Sequence, residues 1–463
     1  MRGGKAPGGS VGVVLLLMQL AATPVLADTM EAALLRAYRN NPQLNAQRAS
    51  VRSIDENVPQ ALAGYRPKVA ATASSGIQYT DTGFFSEGAR QDAAGLQIPR
   101  AVGATATQTL FNGDQTANKT RAAESQVLGA REGLRLLEQS VLLAAATVYM
   151  DYLRDAAIVE VQRSNTKVLE ETLRYTRDRY TVGVVTPTDV AQAEAQLAAG
   201  RSQQLTAEAN LTTTRANFRR IIGNEAAQLE PASPVDRFLP ATLRAATDLS
   251  LVENPNVTAA KFGIDVNFLQ VKVNEGALFP TVTIQASVLK NSQESFSTPQ
   301  QFGASAIAQI NVPVYQGGAE YSLIRQSKET LAQQRLTLEQ VRDQARADLV
   351  TAWGQLVAGK SQIASTQSQV TASEIALLGV RSEATVGQRT VLDVLNAQQA
   401  LVNARVALVT AQHDRVVASY SVLNSVGRLS PQVLHLAGAA YDPSVHYHQV
   451  RDNWFGTQTP DGR

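Results

Sequence analysis

The stretch Val182-Gly-Val-Val-Thr-Pro-Thr-Asp-Val-Ala-Gln-Ala193 returns, altered but recognisable, as Val386-Gly-Gln-Arg-Thr-Val-Leu-Asp-Val-Leu-Asn-Ala397. Each copy reads as a helix stop followed at once by a helix start. Gly183 and Gly387 suit the left-handed residue that ends a helix, since they carry no Cβ to clash there. Thr186 and Thr390 stand three residues before Asp189 and Asp393, close to a capping box. The threonine oxygen can accept from free N–H groups, and the carboxylate favours the positive helix end. Pro187 falls at the first helical position, where a missing N–H costs nothing.

The rest of the chain follows the same duplication. Asn41-Pro-Gln-Leu44 is echoed by Asn254-Pro-Asn-Val257, and Pro67 by Pro280. From Phe111 and Tyr315 through Gly223 and Gly427 the two copies keep one unbroken offset. The difference in spacing is absorbed between Pro67 and Phe111, which places a variable loop there. The pattern predicts a first repeat over 28–240, a second over 241–429 and a tail over 430–463. Within each repeat it predicts a helix (42–64, 255–277), a strand pair (about 67–111, about 280–315) and a very long helix (114–182, 318–386). After the turn comes a shorter helix (189–222, 393–426). Leu134, Leu137, Val141, Ala144 and Val148 keep the 3,4 spacing of a coiled-coil seam, as do Val394, Ala397, Leu401, Ala404 and Leu408. One helix of each shorter kind, end to end, matches the length of a long one.

The strand pairs differ from their surroundings. Residues 281–288 alternate polar and apolar, the period of a sheet with one wet and one apolar face. Tyr65, Phe279, Phe111 and Tyr315 fall at the strand bases, and Phe84, Phe85, Phe296 and Phe302 near the tips. Two aromatic bands across a short apolar height suit either an outer-membrane barrel or a soluble hairpin with ordinary core aromatics. Four strands are too few to close a barrel, and an open edge is forbidden in lipid, so insertion requires an oligomer of two, three or more chains.

Composition bounds the compartment. Residues 1–27 read as an export signal: Arg2 and Lys5, an apolar run over 11–22, and Val25-Leu-Ala27 as the cleavage site. Removing them leaves 40 acidic residues balanced by as many basic ones, which argues against nucleic acid as partner. The absence of cysteine excludes disulfides, thiolate metal sites and an N-terminal lipidated cysteine. No cofactor motif, phosphate loop or catalytic triad is present, and His446-x-His448 lacks a nearby third ligand.

Taken together, the Asn-Pro starts, Gly64-Tyr-Arg-Pro67, Leu278-Phe-Pro280, Leu110-Phe-Asn-Gly113, Val314-Tyr-Gln-Gly-Gly318 and both turns resemble the TolC family of outer-membrane efflux and type I secretion channels. The resemblance covers nearly the whole mature chain. It implies a mainly α fold with membrane β: a homotrimer whose twelve strands, four per chain, form one barrel in outer-membrane lipid. A periplasmic coiled-coil tube continues that barrel. Its partners would be a periplasmic adaptor (membrane fusion) protein and an inner-membrane pump of the ABC or RND type. In such a channel the turns close the periplasmic end. Asp393 would form a ring across the pore, and Arg389 would bond toward Thr188 and Asp189. Asn396 stands where a second ring aspartate is common, and Ala384 where a latch tyrosine can occur. Val182, Gly183, Thr186, Val386, Gly387 and Thr390 would receive the adaptor. The competing expectation, an exported coiled-coil fibre or adhesin stalk, requires uninterrupted heptads without strands.

Overall fold

A computed structural model describes residues 28–460 and 462, apart from 87, 227, 294–299 and 437–439. The export signal and Phe296 therefore lie outside the described residues, as does the side chain of Phe84.

The chain enters through α1 (Met30–Asn40), α2 (Pro42–Asp55) and α3 (Asn57–Leu62). It then builds β1 (Lys68–Ser75), β2 (Gln78–Ser86), β3 (Ala89–Gln97) and β4 (Arg100–Phe111) before α4 (Gln115–Thr181) and α5 (Pro187–Ile222). The second half repeats the plan with α6 (Leu243–Glu253), α7 (Pro255–Gly276), β5 (Thr281–Ser292), β6 (Gln300–Asn311), α8 (Ala319–Thr385) and α9 (Val391–Val426). A short α10 (Ser444–Val450) lies in the tail. Both α4 and α8 run for 67 residues, about 100 Å at helical rise.

The antiparallel sheet has the order β1-β4-β5-β6. Its outer strands, β1 and β6, each have one free edge among the described residues. The first strand pair is longer than a pair plus a loop. Beyond a break at Gly76 and Pro99, β2 and β3 form their own hairpin. Proline has no N–H for the ladder, and the Pro99 carbonyl instead accepts from Gly76 N at 3.0 Å. Val69, Val102, Ile307 and Ile310 are more than half exposed on the sheet, with Tyr65, Phe279 and Tyr315 exposed at its base. Where β4 passes into α4, a Cβ on Gly113 would lie 2.2 Å from the Gly276 carbonyl, so only glycine permits this crossing.

The shorter helices are spliced by asparagine. Asn254 caps α7 with its oxygen on Asn256 N at 2.9 Å, while its Nδ2 donates to Ser425 O near the end of α9 at 3.0 Å. Asn41 does the same for α2 and α5, through Gln43 N at 2.9 Å and Ile221 O at 3.5 Å. A proline follows each asparagine as the first helical residue. One side chain thus satisfies an orphan donor of one helix and an orphan carbonyl of another. The α9–α7 run lies between α4 and α8.

The largest core forms at mid-height, where α1, α2, α4 and the ends of α5 and α9 meet. The chain start is fastened there: Asp28 bridges Leu229, and the Tyr149 hydroxyl lies 2.7 Å from both Asp28 O and Glu230 O. The tail packs along α2 and α4. His446 Nδ1 meets the fully buried Asp55 at 3.0 Å, Tyr447 and Arg451 reach Glu124, and Arg66 lies over the Trp454 ring. The ring of His446 is thus engaged by a carboxylate. Among the described residues no cluster of three metal-ligating side chains occurs.

Candidate pore constriction at the helix turns

The two turns end α4 and α8 in the same way. Gly183 N donates to Tyr180 O and Val184 N to Arg179 O, both at 3.0 Å. In the second turn Gly387 N reaches Ala384 O at 3.3 Å and Gln388 N reaches Glu383 O at 2.9 Å. Positive φ values of 76° and 83° at the two glycines make this closure possible.

The next helices start with complete capping boxes. Asp189 N donates to Thr186 Oγ1 at 3.3 Å, and Thr186 N donates back to Asp189 Oδ2 at 2.8 Å. The corresponding distances for Thr390 and Asp393 are 3.2 and 2.9 Å. Each threonine hydroxyl also donates to the same carboxylate oxygen, at 2.8 Å. Oδ2 of each aspartate is therefore committed to its helix, and Oδ1 is left for whatever lies beyond the turn. Hydrogen bonds from the Thr390 backbone and hydroxyl hold the Asp393 carboxyl below the usual carboxylate range. It is ionised at neutral pH.

Within the single chain Arg389 has a carboxylate partner of its own. Its Nε donates to Glu383 Oε2 at 2.8 Å, and both side chains are about half exposed. In the described chain it bonds neither Thr188 nor Asp189. A guanidinium takes the nearest accessible carboxylate, and Glu383 is one helical turn above its own loop. Glu383 carried no motif signal in the sequence; only its spacing from Arg389 across a helix end could have suggested it. Asn396 is exposed on the first turns of α9.

The tips differ in chemistry: Gly183 is followed by Val184 and Val185, but Gly387 by Gln388 and Arg389, while a valine precedes each glycine. Val182 and Val386 are 72 % and 71 % exposed. Just above them a groove of about 340 Å³ opens between α4 and α8, with Tyr175, Arg179, Arg381 and Arg389 among its lining residues. Its mixture of guanidinium groups and apolar wall suits contact with other protein or with amphiphilic surfaces.

This geometry can be set beside known proteins. The outer membrane efflux protein family model matches residues 34–224 and again 246–428, once in each repeat. The chain is 40 % identical over 448 residues to the outer membrane efflux protein BepC of Brucella suis biovar 1 (strain 1330), covering 96 % of this chain and 95 % of that one. It is 24 % identical over 425 residues to the outer membrane protein TolC of Escherichia coli (strain K12), covering 88 % and 84 % of the two chains. Among solved structures, the Campylobacter jejuni CmeC outer membrane channel superposes with a TM-score of 0.77 at 15 % identity, covering 91 % of this chain and 89 % of that one.

Proposed function

Because the chain belongs to the outer membrane efflux protein family, we propose that it is the passive exit duct of a three-part export system. The protein is an outer-membrane channel that extends into the periplasm. Three copies pair free sheet edges to close one twelve-stranded barrel. Their long helices form the tube beneath it. Cargo arrives from an inner-membrane ABC or RND-type pump through a periplasmic adaptor, and the duct itself performs no catalysis.

One observation carries the reading: a four-stranded sheet with an apolar exposed face and two free edges is joined to helices about 100 Å long. A free edge cannot remain in lipid, and a helix of that length is needless for a simple pore.

In this reading the turns are the constriction. Asp393 lines it, with Asp189, Thr188 and Asn396 beside it. Like charges 4 Å apart in water repel by ~1 kcal/mol per pair, and by more where water is excluded. Arg389 is near enough to Asp393 to favour its ionised form, and so offsets part of that repulsion. The bare tips, Val182, Gly183, Thr186, Val386, Gly387 and Thr390, receive the adaptor. Two similar turns per chain give six tips per trimer.

Conductance of purified trimers in planar bilayers tests the constriction. Asp393→Asn should weaken cation selectivity and block by multivalent cations while leaving the trimer intact. Asn396→Asp should strengthen that block by adding a second ring. Unchanged selectivity in both variants would remove these residues from the pore.

A further inference from the structure

The tail climbs toward the sheet. His446 Nδ1 lies 3.0 Å from Asp55, the last residue of α2, and Tyr447 packs against Val58 of α3. Arg451 Nη2 donates to Glu124 on α4 at 3.3 Å. Arg66 Nη1 then donates to Asn453 O at 2.6 Å, and its guanidinium lies 4.6 Å from the centre of the Trp454 ring. Arg66 stands two residues before β1, and Gln108 Nε2 of β4 donates to the carbonyl of the preceding Tyr65 at 2.7 Å. Each fastening is nearer the strand bases than the one before, and the last sets Trp454 at their level.

What stands there is apolar and uncovered. Trp454 is 65 % and Phe455 94 % exposed, and the half-exposed Tyr65 and Phe279 share the level. Arg66 and the exposed Lys68 bring positive charge to the same place. Aromatic rings beside cations are the composition of a membrane interface, where an indole rests its body on acyl chains and turns its N–H to the headgroups. Two observations select lipid as the occupant. The apolar face of the sheet, with Val282 and Ile284 opposite Ile310 and Ala308, begins at this level, so the aromatic patch continues it downward. The two cations match headgroup phosphates in charge.

We propose that Trp454 and Phe455 insert into the phospholipid leaflet on the periplasmic side of the outer membrane, with Arg66 and Lys68 on headgroup phosphates. This rests on the reading of the sheet as part of a lipid-embedded barrel. The tail then straps the belt at mid-height to the membrane from outside the barrel. A chain without cysteine has no lipidated cysteine to hold it at this leaflet, and the tail supplies an anchor of another kind.

Brominated lipid tests the anchor, because bromine quenches tryptophan on contact. Full-length trimers are placed in vesicles of phosphatidylethanolamine and phosphatidylglycerol, brominated either close to the headgroup or near the acyl terminus. The chain has two tryptophans. Trp353 lies about 50 Å along α8 from its start at Ala319, beyond the reach of lipid. The difference between wild type and Trp454→Phe therefore isolates Trp454. Its emission should be lost to bromine close to the headgroup and largely kept with bromine near the acyl terminus. Emission quenched by neither overturns the anchor, whether it is blue-shifted beneath a neighbouring protein surface or red-shifted in water. Stronger quenching by the deep bromine overturns the placement at the headgroups. A third chain, Trp454→Phe with Val288→Trp, carries its reporter midway along β5 on the apolar face. If that reporter is quenched and Trp454 is not, the anchor alone fails; if neither is quenched, the barrel reading falls with it.

Discussion

Asp393 shows how one carboxylate serves two purposes. Its Oδ2 closes the capping box with Thr390, and its Oδ1 is the atom that the proposed constriction would use. The capping role was legible in the sequence, because Thr-x-x-Asp three residues after a helix-ending glycine has few other physical meanings. The partner of Arg389 was not legible. Long exposed side chains choose among several carboxylates by small energies, and sequence spacing does not rank them. Asp393→Ala should remove the cap and cost about 1 kcal/mol, visible as a lower unfolding midpoint. Thr186→Ala in the first turn should cost a similar ~1 kcal/mol. A cost confined to one turn would show that the two caps are not equivalent.

A second residue brings a pH dependence. His413 on α9 is buried, with Nε2 3.0 Å from Asp151 on α4 and Nδ1 2.8 Å from its neighbour Asp414. Arg154 faces the same cluster, and Arg415 pairs instead with Asp236 of the linker. Burial works against the imidazolium, but the bonds to Asp151 and Asp414 outweigh it and raise the His413 pKa. A raised folded value means that the contribution is complete below the ordinary value of ~6.5 and is lost as pH rises through the higher folded one. The wild-type melting temperature should therefore fall more steeply than that of His413→Gln as pH rises above the ordinary histidine value of ~6.5. Parallel curves would show that folding does not shift the His413 pKa.

At the scale of elements, the period of the hydrophobic pattern was the informative signal. It separated α4 and α8 from the strands, and so identified the mainly α fold with membrane strands. The β2–β3 hairpin was hidden because its offset from the second repeat reads equally well as a loop insertion, and Pro99 breaks the strand pattern where the sheet also breaks. Helices α1 and α6 were missed because each is only 11 residues long and ends at the Asn-Pro that starts its successor. Those asparagines read as simple N-caps, whereas the fold uses both ends of the amide. Asn254→Asp should keep the α7 cap and lose the bond to Ser425 O. Hydrogen exchange should then rise at the end of α9 and remain unchanged at the start of α7. Equal effects at both ends would mean that the splice is not made by this side chain.

For the whole molecule, the duplication explains how one chain supplies two similar hairpins to the tube and four strands to one sheet. The buried core at mid-height fastens the chain start, the linker and the tail into one belt. The tail's placement along α2 and α4 was invisible to periodicity, since α10 has only 7 residues and its partners lie far away in sequence. Oligomeric state was legible only as a requirement: four strands do not close, whatever the number of chains that join them.

The central claim is that β6 of one chain pairs with β1 of the next around a ring of three. A cysteine-free chain allows a direct measurement. Ala71→Cys in β1, combined in turn with Ala304→Cys, Ala306→Cys or Ala308→Cys in β6, scans the junction in native outer membranes. After oxidation, denaturing electrophoresis should show covalent species that end at three chains for at least one pairing. Monomers cross-linked only within themselves, or a ladder continuing past three, would contradict the shared barrel.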